Sequence, residues 1–405
     1  MSSYFQRRAS DSSLGRLGVS IQPLALIDRM LRRVELTNEQ HADAKRSYES
    51  VTELLAKAGM PVQPYSPFMF AQGSMRLGTT VRPIGQEEHD LDIVCMLRLA
   101  GVWLPTKQVF DLVWDTLGKD GTYREMRRRK NRCIRLVYAR RFHLDITPAV
   151  PERMEQDGPL FVPDHELSEW CPSHPIGFGD WFAEGAKQMP IFTRSFSTAN
   201  EAQAVFSKAA EVEPMPEHGF VKTPLQRITQ FLKRDRDEQF QNDLKHRPSS
   251  ILLTTLIARS YAVQARTPAP DLLEFITSVV EALHHFIEVR ETSLGPRFYR
   301  VANPVNLKEN FAEKWTRSDY EAFLGWQNAL ARKLRAVSAT KGKGIDVMLN
   351  TLGEGFGKSR VIAAAEALGT DTSRIHQAGR LRVAGATGLI GLTGSAMGAT
   401  VYHGK

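Results

Sequence analysis

The spacing of hydrophobic residues predicts two helices near the start of the chain. Apolar residues recur at helical spacing over residues 37–57, and a shorter helix is predicted over residues 23–33. Thr37 and Gln40 match a capping box, in which each side chain bonds the backbone N–H of the other residue. A glycine and a proline follow the longer helix and indicate its end.

Beyond these helices, short apolar runs replace the helical spacing and indicate strands. Strands are predicted at residues 68–70, 91–97, 131–138 and 141–147. A helix is predicted at residues 106–117, between the second and the third strand. This order favours a mixed α+β domain with a small sheet. Residues 164–216 combine proline, glycine and aromatic residues with weak periodicity, and we expect an irregular connection there.

The second half of the chain returns to helical spacing. Thr223 is a predicted N-cap with Pro224 at the first helical position. The helix that begins near Pro248 is apolar on every face, so we expect it to be buried. Further helices are predicted at residues 271–288, 317–338 and 358–368.

These patterns divide the chain into four parts. We expect a mobile N-terminal arm at 1–22, an α+β core at 23–205, a helical domain at 206–378 and a Gly-rich tail at 379–405. The tail lacks charge between Arg382 and Lys405, and we expect it to be extended or mobile.

Composition narrows the class of protein. The 405 residues are 42% hydrophobic, and no run approaches the roughly 18 apolar residues of a membrane span. Three widely spaced cysteines form neither a disulfide framework nor a zinc-binding pattern. The N-terminus lacks the apolar segment of a secretory signal, so we expect a cytoplasmic protein that does not bind membranes.

The net charge of +8 is concentrated in the strongly basic residues 124–141. A basic surface attracts polyanions such as nucleotides and nucleic acids. Charge alone does not distinguish such a surface from a solvated, basic pair of strands.

Asp90, Asp92 and Asp145 are the candidate catalytic residues. Asp90 and Asp92 are two apart on a predicted strand, so their carboxylates face the same side. Asp145 lies on another predicted strand and meets them if the two strands are neighbours. Phosphoryl and nucleotidyl transfer often uses two metal ions, and Mg²⁺ prefers such carboxylate oxygens.

Gly73 and Ser74 form a candidate phosphate-binding turn between the first two strands. Glycine permits close approach of the backbone, and the neighbouring amides and hydroxyl can hold phosphate oxygens. Each motif alone is weak, and the ordered set is much more specific.

At these residues the chain resembles the polymerase β nucleotidyltransferase superfamily, and more narrowly the cGAS/DncV-like nucleotidyltransferases of bacterial anti-phage (CBASS) systems. The matching stretches are AQGSMRLGTTVRP, HDLDIVCML, FHLDITPAV, TPLQRITQFLKRDRD and RPSSILLTTLIA. The resemblance implies a polymerase β-like core with a small mixed sheet, followed by an α-helical domain like that of oligoadenylate synthetases.

The resemblance also implies roles for individual residues. Asp90, Asp92 and Asp145 would bind two Mg²⁺ ions, with Mn²⁺ as an alternative, and Asp145 would help to activate a ribose hydroxyl. Gly73, Ser74, Lys233 and Ser250 would bind the nucleotide. Without the resemblance, we would interpret Lys233 as a solvated lysine and Ser250 as a helix cap. Arg76 either steadies the loop or touches phosphate.

The activity implied is synthesis of a cyclic di- or trinucleotide second messenger, adenine-containing, from ATP and also GTP or other nucleotides. Pyrophosphate would be released, and the product would act in anti-phage defence. Three alternatives stay open: a linear oligoadenylate synthetase or RNA terminal transferase, transfer to a small molecule or protein, and a binding module that has lost catalysis. The complete set of acids argues against the last.

Partner proteins are also implied by the resemblance. Some relatives have their C-terminus conjugated by ubiquitin-transfer-like proteins, and the Gly-rich tail would suit such an enzyme. Activation by nucleic acid is the less favoured role of the basic run, because bacterial relatives often work without it.

Overall fold

The computed structural model describes most of the chain between residues 35 and 366. The described ranges are 35–82, 84, 89–98, 104–138, 142–153, 157–164, 166, 168–193, 222–292, 295–341, 343 and 345–366, with Met30 and three short strands after residue 381. The predicted arm at 1–22, most of the predicted helix at 23–33 and most of the tail lie outside them.

The first described helix, α1 (Asn38–Ala56), is capped as the sequence predicts. The Thr37 hydroxyl accepts from the Gln40 N–H at 3.1 Å, and the Gln40 side chain accepts from the Thr37 N–H at 2.9 Å. Its buried face, which includes Val51 and Leu55, packs on one side of the main sheet.

The main sheet has seven strands: β1 (Phe68–Ala71), β2 (His89–Met96), β3 (Arg127–Arg129), β4 (Ile134–Tyr138), β5 (Phe142–Pro151), β6 (Leu160–Asp164) and β7 (Glu169–Ser173). Five of them lie in the order β1-β2-β5-β4-β3, and β6 joins the far half of β5 and then pairs with β7. Strands β2 and β5 are parallel, and the other pairs are antiparallel. This is the small mixed sheet that the sequence predicts.

The single turn α2 (Gly73–Arg76) lies between β1 and β2. After β2, helix α3 (Thr106–Gly118) and the short helix α4 (Gly121–Met126) lead to the β3–β4 hairpin. Together α1 and α3 cover the face of the sheet that carries Leu91, Ile93, Leu144 and Ile146. Burial of this face fixes the register of β2 against β5, because a slip by one residue would expose all four side chains.

The region expected to be an irregular connection contains regular structure. Strands β6 and β7 form a hairpin, and helix α5 (Pro175–Ala186) follows. Proline within each strand hid the hairpin. Pro172 lies on β7, an edge strand, and edge strands tolerate proline, while Pro163 lies on β6 beyond the residues that pair with β5. Three glycines weaken the helical signal of α5, and the Arg76 side chain packs against one of them, Gly179.

The second half is mainly helical. Its helices are α6 (Pro224–Gln239), α7 (Ser250–Gln264), α8 (Leu272–Glu281), α9 (Arg317–Ser338) and α10 (Ile345–Phe356), and residues 358–366 are also helical. Thr223 caps α6 through a capping box with Gln226, with Pro224 at the first position, as predicted. Helix α7 is buried along most of its length, which confirms the expectation from its apolar faces.

Two hairpins interrupt the helices between α8 and α9, where the sequence predicted helix or no regular structure. They are β8 (Glu288–Thr292) with β9 (Gly295–Arg300), and β10 (Ala302–Asn303) with β11 (Asn306–Asn310). The helix predicted to reach residue 288 ends at Glu281, because a short 3-10 turn at Leu283–Phe286 turns the chain toward β8.

The predicted boundary between core and helical domain, near residue 205, falls outside the described residues. In the tail, three two-residue strands, Arg382–Val383, Ile390–Gly391 and Ser395–Ala396, form a small sheet, although an extended or mobile segment was expected. Within the described residues, no helix is both long and apolar enough to cross a membrane.

Candidate active site

The three candidate carboxylates lie on two neighbouring strands. Asp90 and Asp92 are on β2, Asp145 is on β5, and the parallel register sets Asp92 directly opposite Asp145. From the sequence, the carboxylates were expected to meet only if these two strands were neighbours, and the structure shows that they are. All three side chains project from the face opposite the α1–α3 core. We call Asp90, Asp92 and Asp145 the acid row.

Burial differs along the acid row. Asp90 is exposed at the rim, Asp92 is half-buried, and Asp145 is 8% exposed. The pKa of Asp92 is raised to about 7, first by burial and then by the charges of Asp145 and Asp90. Lys233 and Arg135 act in the opposite direction on this pKa. The carboxylate of Asp92 therefore carries negative charge that its surroundings do not fully balance.

The Gly73–Ser74 turn lies against the acid row. The Gln72 N–H donates to the Asp92 carbonyl at 2.9 Å, which joins the end of β1 to β2. Gly73 has φ +62°, and a Cβ there would come within 2.5 Å of Asp92 Oδ2. Both the backbone conformation and the contact require glycine. The structure thus brings together the turn and the acids that the sequence placed in one site.

The loop after this turn is held by helix α6 and by Lys222, two residues before the helix begins. Each bond runs from a side chain to a carbonyl: Lys222 to Gly78 at 2.8 Å, Gln226 to Leu77 at 2.9 Å, Gln230 to Thr80 at 2.8 Å and Lys233 to Thr79 at 3.3 Å. We call these four bonds the carbonyl clamp. Through the clamp, the second half of the chain fixes the loop that borders the acid row.

Lys233 is buried and lies close enough to Asp92 for each charge to affect the other. Its pKa is lowered to about 8, first by burial and then by the neighbouring Arg236, while Asp237 and Asp92 raise it. The interpretation of Lys233 as a solvated lysine is therefore wrong. The amine of Lys233 is thus buried beside the acid row and donates to the Thr79 carbonyl of the loop.

Ser250 is not the cap of α7. Ser249 is the N-cap and accepts from the Leu252 N–H at 3.4 Å. Ser250 is exposed, and its hydroxyl accepts from Arg236 Nη1 at 3.2 Å. Arg236 also donates to the Pro248 carbonyl at 2.8 Å, so it ties the start of α7 to the helix that carries Lys233. Among the described contacts, none joins Ser250 to the acid row.

Arg76 anchors the turn to helix α5. Its Nη2 lies 3.3 Å from Asp180 Oδ1, and its side chain packs on Gly179. This contact supports the first of the two roles left open for Arg76, a steadying of the loop.

Arg135 and His143 belong to the site and were missed in the sequence. Arg135 lies on β4 opposite Asp145, and its guanidinium binds both carboxylate oxygens at 2.7 Å. His143 Nδ1 lies 3.3 Å from Asp90 Oδ1. His143 and Asp145 share the alternation that places acids on one face, which could have identified His143. Arg135 was hidden in the basic run, and only the β4–β5 register reveals it.

Much of the basic run is bound inside the protein. Arg124 donates to the Gly118 carbonyl at 2.9 Å and Arg127 to the Trp114 carbonyl, so both satisfy carbonyls at the end of α3. Arg129 pairs with Asp111 at 2.9 Å, and Arg132 pairs with the fully buried Asp164 at 2.9 Å. These arginines are neither simply solvated nor free to form one continuous phosphate-binding surface.

The donors of the acid row fit a hard divalent cation. Carboxylate oxygens are the ligands that Mg²⁺ prefers, and a cation would balance the charge on Asp92. Within the described residues, no group of three or more acidic, histidine or cysteine side chains is already arranged around a metal position.

Comparison with known proteins agrees with this geometry. Residues 25–185 match the family model of the Second Messenger Oligonucleotide or Dinucleotide Synthetase domain. The chain is 28% identical over 348 residues to a c-di-GMP synthase of Roseivirga ehrenbergii, a match that covers 84% of this chain and 85% of the relative. It is 25% identical over 306 residues to the cyclic dinucleotide synthase CdnG of Bradyrhizobium diazoefficiens, covering 73% and 71%.

The fold is also found among solved structures. The structure of B. diazoefficiens CdnG in complex with GTP superposes with a TM-score of 0.62 at 22% identity, covering 85% of this chain and 98% of that one. The synthetase-domain match includes the Gly73–Ser74 turn and the whole acid row. The match over residues 25–185, the two relatives and the shared fold together support a cGAS/DncV-like nucleotidyltransferase.

Proposed function

We propose that this nucleotidyltransferase is a Mg²⁺-dependent synthase that joins nucleotides into a cyclic dinucleotide and releases pyrophosphate. The observation that carries the proposal is the acid row facing the Gly73–Ser74 turn, with Gly73 in contact with Asp92. This arrangement supports the proposal, because it would bring candidate metal ligands and a candidate phosphate-binding turn together, as nucleotidyl transfer requires.

In the proposed reaction, Gly73, Ser74 and Lys233 hold the phosphates of the donor nucleotide. Asp90, Asp92 and Asp145 would hold two Mg²⁺ ions, which supply positive charge for the attacking and leaving oxygens. Asp145 also helps to activate the ribose hydroxyl of the acceptor nucleotide. That oxygen bonds to the α-phosphorus while the bond to pyrophosphate breaks, and a second such step closes the ring.

Ser250 has a less direct role in the proposal. Its exposed hydroxyl is bonded to Arg236, which in turn lies near Lys233. We propose that Ser250 and Arg236 contribute to the far end of the phosphate site, on the helical side of the loop.

For the bases, we propose guanine in at least one position. The relatives support this choice, since one is named a c-di-GMP synthase and another was solved with GTP. The resemblance noted in the sequence suggested adenine instead, so ATP stays among the proposed substrates. A role in anti-phage signalling rests on that resemblance alone and is part of the proposal.

Product analysis tests the proposal. The protein is incubated with all four ribonucleotides and Mg²⁺, treated with phosphatase, and the products are examined by mass spectrometry. A cyclic dinucleotide has no terminal phosphate, so it resists phosphatase and has the mass of two nucleotide monophosphates less two waters. A ladder of phosphatase-sensitive chains would instead show a linear synthetase, and absence of any product would contradict the proposal.

A further inference from the structure

The sheet carries an ordered line of charges across four neighbouring strands. Asp92 on β2 lies opposite Asp145 on β5, Asp145 lies opposite Arg135 on β4, and Arg135 lies opposite Arg128 on β3. Residues paired in this way project from the same face of a sheet. Two acids are therefore followed, strand by strand, by two arginines.

Arg135 makes the closest contacts in this line. Its Nε donates to Asp145 Oδ1 and its Nη2 to Asp145 Oδ2, both at 2.7 Å, and the same Nη2 lies 3.2 Å from Asp90 Oδ1. A bidentate bond of this kind fixes both the position and the plane of a carboxylate. Lysine cannot reproduce it, because its ammonium lacks the planar fork.

The surroundings hold Arg135 in place. Strand β4 is paired on both sides, with β3 and with β5, and Arg135 Nη1 lies 3.3 Å from the ring nitrogen Nδ1 of His143. The Arg135 side chain is only about one-fifth exposed. The sheet register and several polar partners together hold Arg135 in position, so its placement does not depend on a single surface ion pair.

The fork leaves Asp145 able to bind a cation. An ionised carboxylate has about four lone-pair sites, and a bidentate arginine uses two of them. Cys133 also makes a side-chain hydrogen bond with Asp145, so at least one site remains for a metal ion while Arg135 stays. The positive charge of Arg135, however, repels a cation held by the same acids.

We propose that Arg135 is a positioning residue of the nucleotidyl-transfer site. It orients Asp145 toward Asp92 through the bidentate bond, and its charge weakens metal binding by the acid row. This inference rests on the proposed function of the acid row as a metal site.

The two effects of Arg135 have opposite consequences for a variant. In Arg135→Ala, loss of the positive charge tightens binding of Mn²⁺, while loss of the fork lowers turnover by about tenfold or more. In Arg135→Lys, the charge stays, so Mn²⁺ affinity is close to that of the wild type, but turnover still falls. A purely structural role would weaken metal binding and turnover together.

The test uses the full chain and Mn²⁺ as the probe. Free Mn²⁺ is measured by electron paramagnetic resonance during titration, and pyrophosphate release is measured at saturating Mn²⁺ and GTP with ATP. Arg128→Ala is the matched control, because Arg128 lies opposite Arg135 but donates to the backbone carbonyls of Glu125 and Arg127. It removes the same charge one strand further from the acids, and we expect both readouts to be unchanged.

Weaker Mn²⁺ binding in Arg135→Ala, or unchanged turnover in Arg135→Lys, would overturn the inference. If Arg135→Ala does not fold, as judged by thermal unfolding, the turnover of Arg135→Lys tests the inference, since lysine keeps the charge and most of the volume. Failure of the proposed function is separate, because it appears in the wild type as absent pyrophosphate release or absent Mn²⁺ binding.

Discussion

Gly73 lies directly against the Asp92 carboxylate, so the phosphate-binding turn and the acid row constrain each other at one contact. We expect Gly73→Ala to lose most nucleotidyl transfer, because the new methyl group would displace Asp92 Oδ2. The positive φ adds a backbone cost of about 1–2 kcal/mol to the free energy of folding. Steady-state pyrophosphate release and urea unfolding measure the two effects.

Gly59→Ala separates the contact from the backbone cost. Gly59 has φ +79°, yet a Cβ there meets nothing within 4 Å. This control should lose similar stability and keep its activity. Equal activity losses in both variants would show that the contact with Asp92 is unimportant.

Asp92 should destabilise the metal-free protein. Its pKa is raised from 3.8 to about 7, so folding costs free energy once the group must ionise. The cost grows as the pH rises from about 4 and is complete above about 7. We therefore expect Asp92→Asn to be more stable than the wild type at pH 8 in EDTA, by on the order of 1–3 kcal/mol.

Urea unfolding at two pH values checks this prediction. The difference between Asp92→Asn and the wild type should shrink at pH 5, where Asp92 in the folded wild type is protonated. Mg²⁺ should stabilise the wild type and not the variant, since a ligand stabilises only the state that binds it. A variant less stable than the wild type at pH 8 would contradict the charge imbalance described for Asp92.

The sequence was informative for those residues whose positions follow from alternation. Asp92 and Asp145 each sit between buried apolar neighbours, and period two places Asp90 on the same face of its strand as Asp92. That Asp145 meets them depends on β2 and β5 being neighbours. Arg135 could not be found in this way. Its partner depends on which strand lies beside β5, and a single sequence does not contain that information.

At the scale of elements, helix α6 and the loop after the Gly73–Ser74 turn act as one unit. In the carbonyl clamp, each of four loop carbonyls accepts a hydrogen bond from a side chain of the second half of the chain. Gln230 is fully buried within it, so removing its amide leaves the Thr80 carbonyl without that donor.

We expect Gln230→Ala to raise the KM for the donor nucleotide by about fivefold, which corresponds to roughly 1 kcal/mol for one lost hydrogen bond. The kcat should change less, because the acid row does not depend on Gln230. Initial rates at varied GTP concentration measure both constants. Gln241→Ala, at an exposed position beyond the end of α6, is the matched control. A fall in kcat alone would argue against the clamp as a support of the phosphate loop.

The sequence predicted elements best where end signals and periodicity agree. The N-caps Thr37 and Thr223 were found where predicted, because a cap is a local contact over four residues. The β6–β7 hairpin was missed because Pro163 and Pro172 are tolerated only at positions that the sheet order defines.

Across the whole molecule, the basic run is largely committed to internal contacts. Arg124, Arg127, Arg129 and Arg132 all have partners within the protein, and Arg135 binds the acid row. These five side chains are therefore not free to bind a polyanion together.

We accordingly expect double-stranded DNA or RNA to leave the rate of pyrophosphate release unchanged within about twofold at 0.15 M salt. Non-specific binding should fall steeply with salt, as counterion release requires. Fluorescence anisotropy and activity measured in the same buffers check both statements. A large activation that persists at physiological salt would show that the basic run is a nucleic-acid sensor after all.

We expect Asp90, Asp92 and Asp145 to carry out nucleotidyl transfer. Pyrophosphate release from GTP and ATP with Mg²⁺ is measured in the wild type and in the double variant Asp90→Ala, Asp92→Ala, with thermal unfolding as the check of folding. The wild type should release pyrophosphate, and a folded double variant should release none above background. Release at the wild-type rate by the double variant would show that these carboxylates are not the catalytic residues.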